Sequence, residues 1–328
     1  MKKATSGAET GAAVQARSYI PPHLRTPHQE RVYKFRDSWQ LLILFLPCLL
    51  YYILFNYAPL WGISIAFMDY RPFKGISGSA WVGLKHFSRF FHDPNSLKLI
   101  RNTFLLSFYD LLFAFPFTII FALIVNEIKQ ERIKKTFQTI TYMPHFISTV
   151  VIVGLLKNFL NPNSGLITNF LALLGFPRID MFSYSRYFRR LYVLSGIWQG
   201  VGWSAIIYYA ALSNINQELY ESAVIDGANK LEQTWYITLP SILPTIVTLF
   251  ILRTGSLLSV GFEKAYLMTT SATLSVADVI STYVYRQGLA GGEFSYATAV
   301  GLFNSVINLF FLVVANYGSR KLTDSSLW

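Results

Sequence analysis

Long apolar stretches separated by polar loops dominate the pattern along this chain. A bilayer core needs about 20 mostly apolar residues per helix. Six stretches reach that length, namely residues 39–68, 103–125, 139–159, 191–212, 240–262 and 297–317. Pro47 and Pro59 interrupt the first stretch, so a kink or an early end is expected there. The pattern therefore predicts an all-α integral membrane protein with six transmembrane helices.

The polar segments divide the chain into a tail, one membrane domain and a short end. Residues 1–38 predict a loosely ordered cytoplasmic tail, residues 39–318 the transmembrane domain, and residues 319–328 a cytoplasmic C-terminal end. With six spans both termini lie on one side, together with the basic loop 126–138. Basic residues favour the cytoplasmic side, but the two sides carry similar numbers of them. The charges therefore favour cytoplasmic termini only weakly.

Composition agrees with a membrane protein and excludes several functions. Hydrophobic residues make up 53% of the chain and charged residues 14%, whereas about a quarter of a soluble domain is charged. The net charge of +11 indicates contact with anionic membrane lipid. No nucleic-acid motif is present, so no nucleic-acid partner is expected. The five histidines show no metal-ligand spacing, and no phosphate-binding G-x-x-x-x-G-K-[ST] motif occurs, so neither a metal site nor an ATPase site is expected.

The most informative segment is the loop 213–239, between the fourth and fifth predicted spans. Residues 214–226 predict a short helix, Gly227 a tight turn, and residues 230–237 a second helix. Pro240 suits the start of the next span, because its missing N–H costs little there. A helix that rests on anionic lipid should be basic, whereas this one carries Glu221 and Asp226. A protein partner is therefore favoured over a connector that lies on lipid.

The same loop resembles the EAA loop of ABC importer permeases, whose pattern is E-A-A-x-x-x-G followed by I-x-L-P. The matching residues are Glu221-Ser222-Ala223-Val224-Ile225-Asp226-Gly227-Ala228 and Ile237-Thr238-Leu239-Pro240. Ser222 stands where the pattern has its first alanine, and the D-G-A form is typical of the sugar-uptake branch. Other segments of residues 35–328 resemble the same family, among them Trp81-Val82-Gly83-Leu84-Lys85-His86-Phe87. Segments 278–286 and 319–321 resemble its polysaccharide and complex-oligosaccharide subgroup, which includes alginate importers.

The resemblance implies a permease subunit of a type I ABC importer, with the MetI-like fold, in the cell inner membrane. A second permease, usually non-identical, would complete the translocation path, and an extracytoplasmic sugar-binding protein would deliver an oligosaccharide. An acidic one, such as an alginate or pectin fragment, is the more specific expectation. ATP and Mg would bind the partner ATPase dimer, and no cofactor is expected in this chain. The residues expected to couple this chain to the ATPase are Glu221, Ser222, Ala223, Asp226, Gly227, Ala228, Leu239 and Pro240.

Polar and aromatic side chains within the predicted spans are candidates for the substrate path, because polar groups are costly in hydrocarbon. Amides bond sugar hydroxyls, and Trp or Tyr rings cover sugar faces. The candidates are Gln199, Trp203, Tyr208, Arg253, Asn304 and Asn308. For each, helix–helix hydrogen bonding or interfacial anchoring is the alternative. Arg253 is also a candidate contact for a substrate carboxylate, and whether Asp110 pairs with it stays open.

Two other function classes compete with a permease. Gly75-Ile76-Ser77-Gly78 matches the G-x-S-G of rhomboid-type intramembrane serine proteases, but Ser77 lies in an external glycine-rich segment where a turn is expected. A secondary transporter usually shows paired halves with interrupted helices, and no such symmetry is visible here. Co-purification of an ATPase would separate a permease from both alternatives.

Overall fold

The computed structural model describes residues 39–323 and 326–327, so the predicted tail, residues 1–38, lies outside the described residues. In chain order the helices are α1 (Trp39–Tyr52), α2 (Lys85–His92), α3 (Ser96–Asn126), α4 (Glu131–Tyr142), α5 (Thr149–Phe159), α6 (Leu166–Leu173), α7 (Ser185–Ser213), α8 (Gln217–Ile225), α9 (Lys230–Gln233), α10 (Leu239–Thr254), α11 (Phe262–Met268), α12 (Leu274–Ala277), α13 (Ile280–Tyr285) and α14 (Phe294–Thr323). Two strands, β1 (Met68–Arg71) and β2 (Gly75–Trp81), follow the first helical segment. Within the described residues, the chain divides into two units between Gly62 and Ile63.

The first unit contains most of the first predicted span. α1 is followed by a π-helical turn at Ile53–Tyr57 and a 3-10 helix that begins at Ala58. Proline has no N–H to donate, so Pro59 cannot continue the regular α-helical bonding. The winding changes next to Pro59, yet Leu41–Phe67 remains one apolar helical segment of 27 residues. The prolines therefore alter this span without ending it.

The second unit is built around long helices that pack side by side. α3 packs along α7, and Ala122, Ala205, Tyr208, Leu212 and Ile242 form a buried cluster between α3, α7 and α10. Within the described residues, four helical segments are long and apolar enough to cross a membrane, or five if one bent pair counts as a single span. α7 contains the fourth predicted span and has 29 residues, but it is not among these segments. The predicted membrane protein is confirmed, whereas the count of six spans is not matched exactly by length and composition.

Two predicted spans depart from straight helices. In the third, Glu131–Phe146 and Thr149–Phe159 are bent by 99°, and Ser148 caps the second part by accepting from the N–H of Val151. The fifth predicted span ends at Thr254 instead of residue 262. At the break, a Cβ on Gly255 would lie 2.6 Å from the Leu312 side chain. Glycine therefore allows the close approach of α14 where α10 stops.

The fold contains a small β-hairpin that the hydrophobic pattern did not predict. β1 and β2 pair antiparallel, with Met68 opposite Trp81 and Asp69 opposite Ala80. Ser77 lies in β2, so the turn expected there is wrong. The Lys85 ammonium donates to Asp69 at 2.7 Å and, as the main cause, lowers the pKa of that carboxyl.

Charged and aromatic groups form contacts between the helix ends on the side opposite the α8–α9 segment. We call this side the distal end. Tyr283 donates to Asp93 at 2.7 Å, and Arg89 pairs with Glu293 at 2.8 Å. Burial alone raises the pKa of the Asp93 carboxyl, but hydrogen bonds from Asn95 and Tyr283 outweigh it, so the pKa lies below its usual range. These contacts tie α2 and the start of α3 to α13 and the start of α14.

Candidate functional site

α8 and α9 form a helix–turn–helix between α7 and α10. The chain leaves α8 through Gly227, whose φ of +80° lies in the left-handed region that glycine adopts without steric cost. The N–H of Ala228 donates to the carbonyl of Ala223 at 2.8 Å, and that of Gly227 to Val224 at 3.1 Å. These two bonds define a Schellman cap. The predicted helix and glycine turn are therefore confirmed, although the helix begins at Gln217 instead of residue 214.

α9 leads directly into the next membrane helix. Asn229 caps α9 and forms a reciprocal capping box with Glu232. A π-helical turn at Thr234–Thr238 then continues into α10, so that Lys230–Thr254 is one helical segment of 25 residues. Pro240 is the second residue of α10, as predicted for the start of this helix, although the π turn joins α10 to α9 without a break. Proline removes one backbone donor, and the wider π turn just before it adjusts the hydrogen-bond ladder.

The α8–α9 segment presents an open surface with both charged and apolar groups. Among the predicted coupling residues, those that are exposed are Glu221, Ser222, Asp226, Gly227 and Pro240, and those that are half-buried are Ala223, Ala228 and Leu239. Large apolar side chains beside them are also more than half exposed, namely Val224, Ile225, Leu231, Trp235 and Tyr236. Exposed large apolar side chains close together in the sequence are typical of an interaction site with lipid or protein.

Two contacts hold this segment to the rest of the chain. The hydroxyls of Tyr220 and Thr238 lie 2.9 Å apart and join α8 to the π turn. The Lys230 ammonium pairs with Glu127 at 3.2 Å, which links α9 to the end of α3. These contacts join α8 to the π turn that precedes α10, and α9 to the end of α3.

A polar cavity of about 270 Å³ lies among α3, α7 and the segment that follows α10. The carboxylate of Asp110 and the guanidinium of Arg253 face each other at 3.6 Å, which answers the open question of their pairing. Lys264 on α11 also lines the cavity, and its ammonium donates to the carbonyl of Tyr192 at 2.9 Å. A Cβ on Gly196 would lie 3.3 Å from that ammonium, so glycine leaves the room it needs. The cavity therefore holds two cations and one carboxylate.

Four of the six substrate-path candidates line either this cavity or a second one. Gln199 lines it and donates to the carbonyl of Ile147 at 3.2 Å. Trp203 and Tyr208 line a second cavity of about 430 Å³, and Arg253 borders both cavities. The two cavities thus share Arg253, and the contact of these four side chains with substrate stays a prediction.

The two asparagines of α14 line neither of these cavities. Asn308 is buried, its Oδ1 accepts from the N–H of Leu258 at 2.7 Å, and its Nδ2 donates to the hydroxyl of Ser259 at 2.9 Å. Asn304 is half-buried, and within the described residues its Oδ1 has no hydrogen-bond partner. The contacts of Asn308 are those of a structural residue, which was the alternative to a place in the substrate path.

The sequence did not point to Lys264 as a cavity residue. The predicted fifth span ran to residue 262, which placed Lys264 in an external loop. Because α10 ends at Thr254, the chain returns and buries Lys264 beside Asp110. A lysine next to a long apolar stretch was the available signal, but its position depended on where the helix ended.

Comparison with known proteins identifies the family of this chain. Residues 95–324 match the family described as "Binding-protein-dependent transport system inner membrane component". The chain belongs to this family. As a family member it is a multi-pass inner-membrane transport component, and the predicted ABC importer permease is confirmed.

Relatives and solved structures cover nearly the whole chain. It is 44% identical over 293 residues to protein LplB of Bacillus subtilis strain 168, which covers 89% of this chain and 92% of LplB. It is 43% identical over 288 residues to the polygalacturonan/rhamnogalacturonan transport system permease protein YteP of the same strain, covering 88% and 90%. A chain in the crystal structure of a bacterial alginate ABC transporter, complexed with an alginate-pentasaccharide-bound periplasmic protein, matches with a TM-score of 0.82 at 39% identity and covers 90% of this chain and 99% of that one. The predicted MetI-like permease fold is therefore confirmed.

Proposed function

We propose that this permease imports acidic oligosaccharides as one of two permease subunits of an ATP-driven transporter. The observation that carries the proposal is the cavity in which Arg253 and Lys264 face the single carboxylate of Asp110. The Asp110–Arg253 distance of 3.6 Å is long for an ion pair, so it leaves hydrogen-bonding capacity on the guanidinium. With all three groups ionised the cavity keeps an excess of positive charge, which attracts an anion.

The relatives support an acidic substrate. YteP is named for polygalacturonan and rhamnogalacturonan, and the solved transporter is described as importing the acidic polysaccharide alginate. An oligosaccharide with carboxylates would bond to Arg253 and Lys264, while Gln199 and Trp203 would supply an amide and a ring face. Both kinds of contact surround the same cavities.

The α8–α9 segment is the part of the chain that we assign to coupling. Its exposed carboxylates and apolar side chains suit a groove on a cytoplasmic ATPase, and its rigid connection to α10 would carry the movement into the membrane. This assignment places both termini in the cytoplasm. The ATPase dimer would supply ATP and Mg sites, and this chain would hydrolyse no ATP by itself. A non-identical second permease and a sugar-binding protein would complete the importer.

Uptake into proteoliposomes tests the substrate assignment. The assembled transporter, with its binding protein, would be offered oligogalacturonate or a neutral maltooligosaccharide of the same length. Arg253→Gln removes one charged hydrogen-bonding group, worth about 1.5–3 kcal/mol, so we expect uptake of the acidic sugar to fall at least about tenfold. The control is Arg178→Gln, since Arg178 is exposed and lies outside both cavities.

Comparison of the two sugars tests the acidic substrate, and comparison of the two variants tests the contact with Arg253. If the neutral sugar is the better substrate of the unchanged transporter, the acidic assignment is wrong. If Arg253→Gln and Arg178→Gln transport oligogalacturonate equally well, Arg253 does not contact the substrate.

A further inference from the structure

A second cationic site lies at the distal end of α7, away from the cavity described above. Arg186, Arg189 and Arg190 occupy the first two turns of that helix and line a groove of about 470 Å³. They are spaced by three and four residues, so they share one face of the helix. None of the three forms an ion pair with any acidic residue in the described part of the chain. The groove therefore carries a concentrated and uncompensated positive charge.

Neutral groups fix two of these arginines in place. The Arg189 guanidinium donates from Nη2 to the side-chain oxygen of Asn102 at 3.1 Å, and Asn102 is itself anchored by donating to the carbonyls of Ser275 and Asp278. Arg186 lies over the ring of Tyr187 at 4.6 Å. A neutral amide and an aromatic face orient the guanidinium groups but leave their charge unbalanced. The arrangement thus presents bidentate donors to an anion from outside the chain.

The deeper walls of the groove are apolar. Val193 and Leu194 continue the arginine face of α7, and Tyr109 and Phe113 oppose them from α3. Phe113 lies about 16 Å further along α3 than Asn102, which is level with Arg189. The groove therefore changes from cationic at the distal end of α7 to aromatic and aliphatic further along α3 and α7. Among the described residues that line this groove, none carries an amide or a carboxylate, and its apolar wall suits an acyl chain better than the hydroxyls of a sugar.

The groove and the Asp110 cavity lie on different faces of the α3–α7 pair. Residues 106, 107, 110 and 111 of α3 line the cavity, whereas residues 109 and 113 line the groove. On α7 the cavity takes residues 192, 196 and 199, and the groove takes residues 186, 189, 190, 193 and 194. At 100° per residue these sets face in directions about 110–120° apart on each helix. The groove is thus outside the assigned substrate cavity.

We propose that this groove binds an anionic phospholipid of the phosphatidylglycerol type. The phosphate would bond Arg186, Arg189 and Arg190, and an acyl chain would lie along Tyr109, Phe113 and Leu194. Basic residues normally collect on the cytoplasmic side, and in the orientation proposed above these three lie on the opposite side. Charge complementarity with an anionic lipid of that leaflet explains their position.

Lipid retention by the assembled transporter tests the proposal. The transporter would be purified in mild detergent, given equal amounts of phosphatidylglycerol and phosphatidylcholine, and examined by native mass spectrometry for bound lipid. A basic residue near the membrane surface contributes about a fivefold preference for anionic lipid. We therefore expect about fivefold weaker phosphatidylglycerol binding in Arg190→Gln and a larger loss, up to on the order of 100-fold, when all three arginines become glutamine, since the effects of neighbouring charges need not add. Replacing all three with lysine keeps the charge but loses the bidentate geometry, so this variant should bind more phosphatidylglycerol than the glutamine variant and less than the unchanged transporter.

The matched control removes the same number of positive charges from the exposed surface outside the groove. Arg71→Gln, Lys74→Gln and Arg178→Gln together also remove three positive charges, and all three residues are exposed outside the groove. This variant should retain phosphatidylglycerol as the unchanged transporter does.

Three results would overturn the lipid assignment. The first is equal retention of phosphatidylglycerol by the groove variant and the control. The second is displacement of bound lipid by trigalacturonate that depends on the three arginines, which would make the groove a sugar site. The third is loss of the second permease from the groove variant, with lipid binding unchanged in the subunits that remain, which would make the groove a subunit interface. None of these depends on whether the Arg253 cavity accepts acidic sugar.

Discussion

Replacing Asn308 with leucine tests whether this residue stabilises the fold or belongs to the substrate path. Its side chain bonds the N–H of Leu258 and the hydroxyl of Ser259, which lie in the break after α10. Asn308 is only 9% exposed, and it lies about 21 Å along α14 from Phe294. Leucine has a similar volume, so the exchange removes the hydrogen bonds with little change in packing.

The expected cost follows from the two groups that lose their partner. A buried N–H without a partner costs about 1–3 kcal/mol, and the hydroxyl bond adds about 0.5–1.5 kcal/mol. Together Asn308→Leu should lower the free energy of unfolding by about 2–4 kcal/mol, before any gain from burying the apolar side chain. Asn304 provides a matched control one helical turn earlier. Its Oδ1 has no partner in the described residues, so Asn304→Leu removes a group that is already unsatisfied.

Denaturant unfolding of the purified transporter, followed by circular dichroism, measures this difference. Asn308 is more buried than Asn304, so leucine gains more at position 308, and the gap between the two variants is a lower limit on the contribution of the Asn308 hydrogen bonds. We expect Asn304→Leu to be neutral or stabilising and Asn308→Leu to be about 2–4 kcal/mol less stable. Equal stability of the two variants, with sugar uptake lost only in Asn308→Leu, would refute the structural role and return Asn308 to the substrate path.

Two further predictions concern helix contact and coupling. A Cβ on Gly202 would collide with the backbone carbonyl of Thr141, whereas one on Gly200 meets nothing within 4 Å. Gly202→Ala should therefore destabilise the purified transporter by about 1–3 kcal/mol in the same unfolding assay, and Gly200→Ala should not. Equal stability of the two variants would contradict the close α4–α7 contact. Glu221→Lys or Gly227→Pro should abolish uptake while leaving the chain in the membrane. The first reverses the charge of an exposed side chain in the α8–α9 segment, and the second forbids a φ of +80°. The control Glu131→Lys changes an exposed carboxylate on α4 and should transport normally, and normal uptake by both coupling variants would remove the coupling role.

Local chemistry explains why the α8–α9 segment was predictable. A glycine after an amphipathic stretch predicts a left-handed cap, and Gly227 has the expected positive φ. Asn229 and Glu232 likewise form their capping box within four residues of chain. Interactions of this range depend on neighbours in the sequence, so the sequence suffices to predict them.

The positions of the buried polar groups were not predictable, because they depend on where helices break and what then packs against them. Apolar character continues past Thr254, yet the helix ends there, since Gly255 packs against Leu312 and Asn308 bonds the unwound chain. That break brings Lys264 into the cavity with Asp110. Hydropathy measures the cost of exposing a residue to water or lipid, and it carries no information on these tertiary contacts.

The break after Thr254 also determines how a movement of the α8–α9 segment would reach the cavity that contains Asp110 and Arg253. Lys230–Thr254 is one helical segment, so α9 and Arg253 lie at opposite ends of a single helical element about 36 Å long. Tyr220 fastens α8 to the same element near its start, and the unwound residues after Thr254 allow its far end to move independently of α11. On the proposed function, an ATPase that displaces α8 would therefore shift Arg253 relative to Asp110, whose 3.6 Å contact is weak enough to yield. Affinity for an anionic substrate would change with that distance, because a closer Asp110 neutralises the charge that binds the substrate. The coupling segment and the candidate substrate contact are thus two ends of the same helix, and no separate relay between them is required.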